Sequence, residues 1–219
     1  MLISFEGIDG SGKTTQARLL AERLEAAGYR TLLVREPGGT ELSERVRDLL
    51  LDASLDIEPF AELLLFSAAR RQLVMRRIRP ALEAGYIVLC DRFYDSTTAY
   101  QGGGRALEDP KWLQDFNLRV TENLVPHRTY WLDVPVAVAL ARRAPLEADR
   151  MEQADTAFFE RVRAAYARLA QEEPWRILRL DATAEIETVH AKIWADVLQQ
   201  LSAAGTRSGR GGFSSKKSY

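Results

Sequence analysis

Eight consecutive residues near the start of the chain, Gly7-Ile8-Asp9-Gly10-Ser11-Gly12-Lys13-Thr14, limit its fold more than any other stretch. They fit G-x-x-x-x-G-K-[ST], and a second threonine, Thr15, follows. The pattern carries weight only where a strand enters it and a helix leaves it. Here Leu2-Ile3-Ser4-Phe5 reads as a short apolar strand. After the loop, Ala17, Leu20, Leu24 and Ala27 recur at helical spacing as far as Gly28, a C-terminal cap. A loop of this kind turns backbone N–H groups toward one point at a helix start, where the helix dipole also favours an anion. Lys13 is placed to reach outer phosphates, and the Thr14 hydroxyl to ligate Mg²⁺. A chance glycine turn would need the fixed positions and both flanks to coincide.

The rest of the chain alternates strand and helix. Thr31-Leu32-Leu33-Val34-Arg35 reads as a strand running into the shaped loop Glu36-Pro37-Gly38-Gly39-Thr40, after which Thr40 or Ser43 caps a helix to Leu51. Residues 59–84 are helical, with Pro80 expected to kink or end the helix. Ile87-Val88-Leu89-Cys90 is a buried strand ending in Asp91-Arg92, followed by a flexible glycine run at 100–105 and a helix over 110–121. A strand at 129–133, a short helix opened by Pro135, a charged segment at 142–150 and a helix capped by Asp155 come next. The pattern ends with a strand at 176–180 and an amphipathic helix at 184–201. Alternation of this kind predicts one doubly wound α/β domain over residues 1–204, a five-stranded parallel sheet flanked by helices, with ligands at the carboxyl ends of the strands. The apolar faces at 57–84 and 95–101 are either core or a subunit contact; the pattern does not separate them.

Composition excludes some functions. Of 219 residues, 46% are hydrophobic and 28% charged, as in ordinary globular proteins. A net charge of −1 gives no electrostatic reason for a nucleic-acid or anionic-membrane partner. The Gly/Ser-rich segment 205–219 holds Arg207, Arg210, Lys216 and Lys217 and no acid, so it is expected to be a disordered basic tail. A single cysteine, Cys90, sits in a strand run and reads as a buried structural thiol of a reducing, cytoplasmic protein. No stretch has the length of a membrane span, and no leader is evident.

A phosphate loop suits a regulatory GTPase, a motor ATPase or a small-molecule kinase. The guanine-specifying string N-K-x-D is absent. A kinase must bring two polyanions together, which demands positive charge converging from several loops. Lys13, Arg92, Arg47 and the arginines of 142–150 supply it. The segment at about 142–154 reads either as a solvated charged loop or as a lid that keeps water from the phosphoryl group; beside a phosphate loop the lid is favoured. Phe66 and Arg70 share a helix face, as a snorkelling pair or as a base-recognition pair.

The strings FEGIDGSGKTTQ, REPGGT, LLLFSAARRQ, CDRFYDSTTAYQGGGR, YWLDVP and DRMEQ occur in this order. Together the chain, from about residue 3 to 200, resembles bacterial thymidylate kinase. The resemblance implies phosphorylation of dTMP to dTDP by ATP with Mg²⁺, in the cytoplasm, by a homodimer that binds neither nucleic acid nor membrane. It further implies that Gly7, Ile8, Asp9, Gly10, Ser11, Gly12, Lys13, Thr14 and Thr15 hold ATP, with Thr14 and Asp91 at the metal. Asp9 would accept from the sugar 3′-hydroxyl, Phe66 would stack on thymine and Arg70 would donate to its carbonyl. Asp91 would bind Mg²⁺ through water or orient Arg92, and Arg92 and Arg47 would grip the acceptor phosphate. Tyr100 would lie where a ribose 2′-hydroxyl would sit, with Ser96, Thr97 and Gln101 nearby and Glu36 ordering the site. Gly10 stands where eukaryotic relatives carry an arginine, so the transition-state arginine is expected in the lid: Arg150 first, with Arg142 and Arg143 beside it. This lid departs from the enteric version in being shorter, poorer in arginine and interrupted by Pro145. His127 and His190 lie outside every motif and are expected to be structural. The alternatives are another nucleotide or deoxynucleoside kinase on the same scaffold, and a non-enzymatic nucleotide-binding module.

Overall fold

Leu2–Glu6 (β1), Thr31–Arg35 (β2), Ile87–Asp91 (β3), Arg128–Asp133 (β4) and Ile177–Asp181 (β5) pair in parallel, in the order β2-β3-β1-β4-β5. The computed structural model describes residues 1–107, 109–142 and 155–208, the last five by backbone alone. The segment beyond Arg142, expected to be a lid, and the tail beyond Ser208 lie outside the described residues. Every residue of β1 is buried, whereas β2 and β5 at the sheet edges alternate with exposed positions. That is why the central strands read as unbroken apolar runs.

Helices cover both faces: Lys13–Ala26 (α1), Glu41–Leu51 (α2), Pro59–Leu73 (α3), Arg79–Glu83 (α4), Tyr94–Thr97 (α5), Pro110–Thr121 (α6), Val136–Arg142 (α7), Thr156–Glu172 (α8) and Ile186–Ser208 (α9). Alternate residues of β1 and β3 divide the core, as a period of two requires. Ile3, Phe5 and Leu89 pack with Leu20 and Leu24 of α1 and Ile193 and Val197 of α9. Leu2, Val88 and Cys90 pack with Val34, Leu73, Val74 and Ile78. Thr40, not Ser43, caps α2, its side chain accepting from the Ser43 N–H, and Asp155 caps α8 in the same way.

β1 and β3 are neighbours, yet the chain leaves β1 for β2 on one side and β3 for β4 on the other. A crevice opens where the two paths diverge. The phosphate loop follows β1 and Asp91-Arg92 ends β3, so pairing of Phe5 with Asp91 sets the two against each other.

The 59–84 helix is interrupted as expected, though ahead of Pro80: a wide, π-type turn at Val74–Ile78 breaks the regular helix, and Pro80 then sits at the start of α4. The structure corrects three expectations. Helix α9 runs to Ser208, beyond the expected 201 and into the start of the basic segment. Arg176 precedes β5 rather than belonging to it.

The third correction concerns the glycine run, which is not a flexible loop. Thr98–Gly104 forms a wide helical turn in which the Arg105 N–H donates to the Tyr100 carbonyl. Residues 95–101 are buried in their own chain and offer no subunit face. The glycines serve close packing: a Cβ on Gly103 would lie 2.4 Å from the Ala165 Cβ, and one on Gly104 2.5 Å from the Phe158 ring. Gly103→Ala should therefore destabilise the protein by about 1–3 kcal/mol through overpacking in urea titration. A flexible loop would instead gain slightly from the lost chain entropy.

Candidate active site

The phosphate loop reaches α1 through Gly12, whose φ of 93° is left-handed and whose position carries no side-chain cap. The first N–H groups of α1 are thus left for a ligand. Gly10, at φ 85°, allows α7 to lean on the loop: a Cβ there would meet the Ala139 carbonyl oxygen at 2.3 Å. Lys13 is buried; its Nζ donates to the Ile8 carbonyl at 2.9 Å and lies 3.5 Å from Asp9 Oδ1. Burial, then the Arg92 charge, push the Lys13 pKa down. The Thr14 hydroxyl donates to Asp91 Oδ2 at 2.5 Å. A cleft of about 650 Å³ opens above Lys13, Thr14 and Thr15 and extends to Ala182–Ile186 beyond β5.

Arg92 stands between this cleft and a second one and lines both. Its backbone is left-handed, φ 73°, which throws its side chain back over the loop. One terminal nitrogen donates to the Gly7 carbonyl (3.0 Å) and Ser96 Oγ (3.1 Å); the other to Asp9 Oδ1 (2.6 Å) and the Tyr100 hydroxyl (3.1 Å). Asp9, not Asp91, therefore orients Arg92. The two are consecutive at the strand end, and their side chains part there, Asp91 toward Thr14 and Arg92 toward Asp9. Burial disfavours the Arg92 charge, but Asp9, Tyr100, Tyr166 and Glu6 outweigh it and raise its pKa.

The second cleft, about 190 Å³, is walled by every residue expected at the acceptor nucleotide: Asp9, Glu36, Arg47, Phe66, Arg70, Arg92, Ser96, Thr97, Tyr100 and Gln101. Arg70 is buried, not snorkelling. Its Nε donates to Glu36 Oε2 and one terminal nitrogen to Thr97 Oγ1, both at 2.6 Å, while the other donates to the Phe93 carbonyl at 3.2 Å. Glu36 has its pKa raised by burial against the pull of Arg70, and its Oε1 has no hydrogen-bond partner among the described residues. Arg47 donates to the Pro37 carbonyl at 3.1 Å.

Other expected residues fall at the margins. Gly7 and Ile8 line neither cleft; their carbonyls anchor Arg92 and Lys13. Arg142 reaches the rim of the larger cleft and donates to the Ala182 carbonyl at 2.8 Å. Arg143 and Arg150 lie outside the described residues. Neither histidine lines a cleft; His127 Nδ1 accepts from the Leu2 N–H at 3.1 Å. The Cys90 thiol is fully buried, and burial raises its pKa, as suits a structural group.

Sequence reasoning missed the wall formed by Gln16, Arg35, Thr183 and Ile186 in the larger cleft, and Pro37 and Leu51 in the smaller. It also missed Glu6. This carboxylate at the end of β1 is fully buried and accepts from the Phe93 N–H (2.7 Å), Ser96 Oγ (2.6 Å) and the Tyr166 hydroxyl (2.9 Å). Burial and Asp95 push its pKa up to about 7. The folded chain then holds a proton that the unfolded chain releases above its ordinary 4.5. Stability from this group is full below pH 4.5 and is lost as pH rises through 7. Glu6→Gln should thus gain on the parent between pH 5 and pH 8, by on the order of 2–3 kcal/mol in urea midpoints. A difference that does not vary with pH would contradict this.

Residues 5–193 match the sequence pattern of the family described as thymidylate kinase. A thymidylate kinase of Thermomicrobium roseum is 51% identical over 201 residues, 91% of this chain and 95% of that protein. One of Deinococcus radiodurans is 48% identical over 201 residues, 91% of this chain and 97% of its own. The crystal structure of thymidylate kinase from Ehrlichia chaffeensis is similar at a TM-score of 0.74 and 38% identity, covering 90% of this chain and 98% of that one.

Proposed function

We propose a division of labour from one premise: this chain belongs to the thymidylate kinase family and phosphorylates dTMP. ATP occupies the larger cleft, its phosphates cradled by residues 9–15 with Lys13 on the outer ones. dTMP occupies the smaller cleft, thymine stacked on Phe66 with Arg70 donating to its carbonyl, Thr97 and Gln101 at the base edge and Arg92 and Arg47 on its phosphate. The observation that carries this reading is Arg92, which faces both clefts where they meet over the strand tips. The acceptor phosphate oxygen is already anionic, so no strong base is needed, and positioning with charge neutralisation suffices. Thr14 and Asp91 offer adjacent oxygen donors of the hard kind that Mg²⁺ takes, directly or through water. There the ion would shield the transferring phosphates. Arg142, Arg143 and Arg150 complete the positive charge, with Arg150 the arginine that reaches the transferred group.

Measuring ADP release with dTMP, dUMP, dCMP, UMP and thymidine tests the assignment: dTMP should give the highest kcat/KM, and a better turnover of thymidine or UMP would refute it. Tyr100, 5% exposed and bonded to Arg92, closes the floor under the sugar. Tyr100→Ala should lower selectivity against the ribonucleotide about tenfold or more. Unchanged selectivity would remove that role.

The enzyme works as a homodimer in the cytoplasm. Leu42 and Leu49 on α2, Leu64 on α3 and Trp112 on α6 are exposed apolar side chains that a second copy would cover. Among the described residues, no helix is long and apolar enough to cross a membrane.

A further inference from the structure

Glu62, Phe66 and Arg70 lie four residues apart on α3 and so along one face of the helix. Phe66 and Arg70 line the smaller cleft, whereas Glu62 lies behind it with no exposed surface. Two of its partners are Gln101 and Arg105: Gln101 Nε2 donates to Glu62 Oε1 at 2.9 Å, and Arg105 pairs with Glu62 Oε2 at 3.2 Å. Gln101 is itself buried, 2% exposed, and lines the cleft.

A primary amide has a donating and an accepting end, and nothing in Gln101 itself decides which one faces a ligand. Glu62 decides it. A carboxylate paired with arginine offers acceptors only, so the NH₂ end of Gln101 must turn toward Glu62. The carbonyl oxygen, Oε1, is then the end left for a base. Arg70 lines the same cleft and can only donate. A 4-oxopyrimidine presents a carbonyl at C4 and an N–H at N3, which complements a donor next to an acceptor. A 4-aminopyrimidine presents the reverse and would set donor against donor and acceptor against acceptor. Mismatches of this kind discriminate strongly, because the buried polar groups of the site are left unpaired.

We infer that Glu62 sets the preference for 4-oxo over 4-amino pyrimidine nucleotides by fixing the amide orientation of Gln101. It is a positioning residue and does not touch the nucleotide. The inference rests on the proposed placement of Gln101 at the base edge. The test is the specificity ratio, kcat/KM for dTMP over dCMP, measured in competition for the parent, Glu62→Gln, Gln101→Ala and the double variant. A glutamine at 62 can accept or donate, so it frees the Gln101 amide to turn.

Glu62→Gln should lower the ratio roughly tenfold or more, chiefly by admitting dCMP, and should lower it no further in the Gln101→Ala background. An unchanged ratio in Glu62→Gln, or an equal fall with and without Gln101, would overturn the inference, since a merely structural carboxylate acts independently of the amide. If Gln101→Ala alone leaves the ratio untouched, the base-edge placement fails, and this inference fails with it. If Gln101→Ala lowers the ratio and Glu62→Gln does not, only the role of Glu62 fails. Should Glu62→Gln not fold, Glu62→Asp shortens the reach to Gln101 while keeping the charge, and the same two comparisons decide.

Discussion

Replacing Arg92 by alanine should lower kcat/KM for dTMP by about 10³ or more while changing nucleoside-triphosphate binding by only a few-fold. The size follows from position. Arg92 lines both clefts, as Arg47 does, and four hydrogen bonds to Gly7, Ser96, Asp9 and Tyr100 hold it in place before any substrate arrives. Preorganised charge of this kind costs no rearrangement as the reaction proceeds, which is why its removal is felt in turnover. The loss also leaves Asp9 with less positive charge beside it, Lys13 at 3.5 Å remaining, so its carboxylate would repel incoming phosphates more strongly. Arg92→Lys should recover only part of the activity, because a single ammonium cannot span the Asp9 and Gly7 sides of its site together. Steady-state kinetics and titration with a fluorescent ATP analogue separate the two effects. A fall smaller than tenfold, or one shared equally with ATP binding, would assign the central charge elsewhere.

Arg176→Leu should destabilise the protein by about 3–5 kcal/mol, with little effect on turnover per folded molecule. Arg176 has no exposed surface and is the largest fully buried side chain among the described residues. It holds Asp95 with two nitrogens at 2.6 and 2.8 Å, Glu173 at 2.6 and 3.0 Å, and the Thr129 hydroxyl at 3.0 Å. Removing one member of a buried pair leaves an uncompensated charge, and that is the costly case. The partner Asp95, 1% exposed, also raises the Glu6 pKa, so the loss reaches the group beneath Arg92. Replacing both partners, with Asp95→Asn added to Arg176→Leu, should restore a good part of the lost stability. Urea unfolding at pH 7 measures both; a cost under 1 kcal/mol for the single change would show the pair to be dispensable.

The phosphate loop was legible because its context is local: a strand, eight residues and a helix adjoin in the chain. The central strands were legible because burial on both faces leaves an unbroken apolar run. The acceptor residues were found through the Asp-Arg-aromatic and helix motifs, and they converge on one cleft. What escaped the sequence depends on partners far away in the chain. Glu6, Glu62 and Arg176 look like surface charges until Phe93, Gln101 and Asp95 are brought to them by sheet pairing and helix packing. The glycines at 102–104 look mobile until Leu113 of α6 presses on Gly102 and α8, some sixty residues later, presses on Gly103 and Gly104. Asp91 looks like the natural partner of Arg92 because it is adjacent, but consecutive side chains at a strand end diverge. The wall beyond β5 gave no signal, since residues such as Ala182 and Thr183 carry no distinctive chemistry.

Direct transfer between two bound nucleotides is best tested by mixing the enzyme with γ-labelled ATP, Mg²⁺ and dTMP and following the label through one turnover. The label should pass into dTDP in step with ADP formation, with negligible free phosphate. Label appearing in free phosphate instead, or ADP forming with none in dTDP, would contradict an enzyme that brings both phosphates together over Arg92.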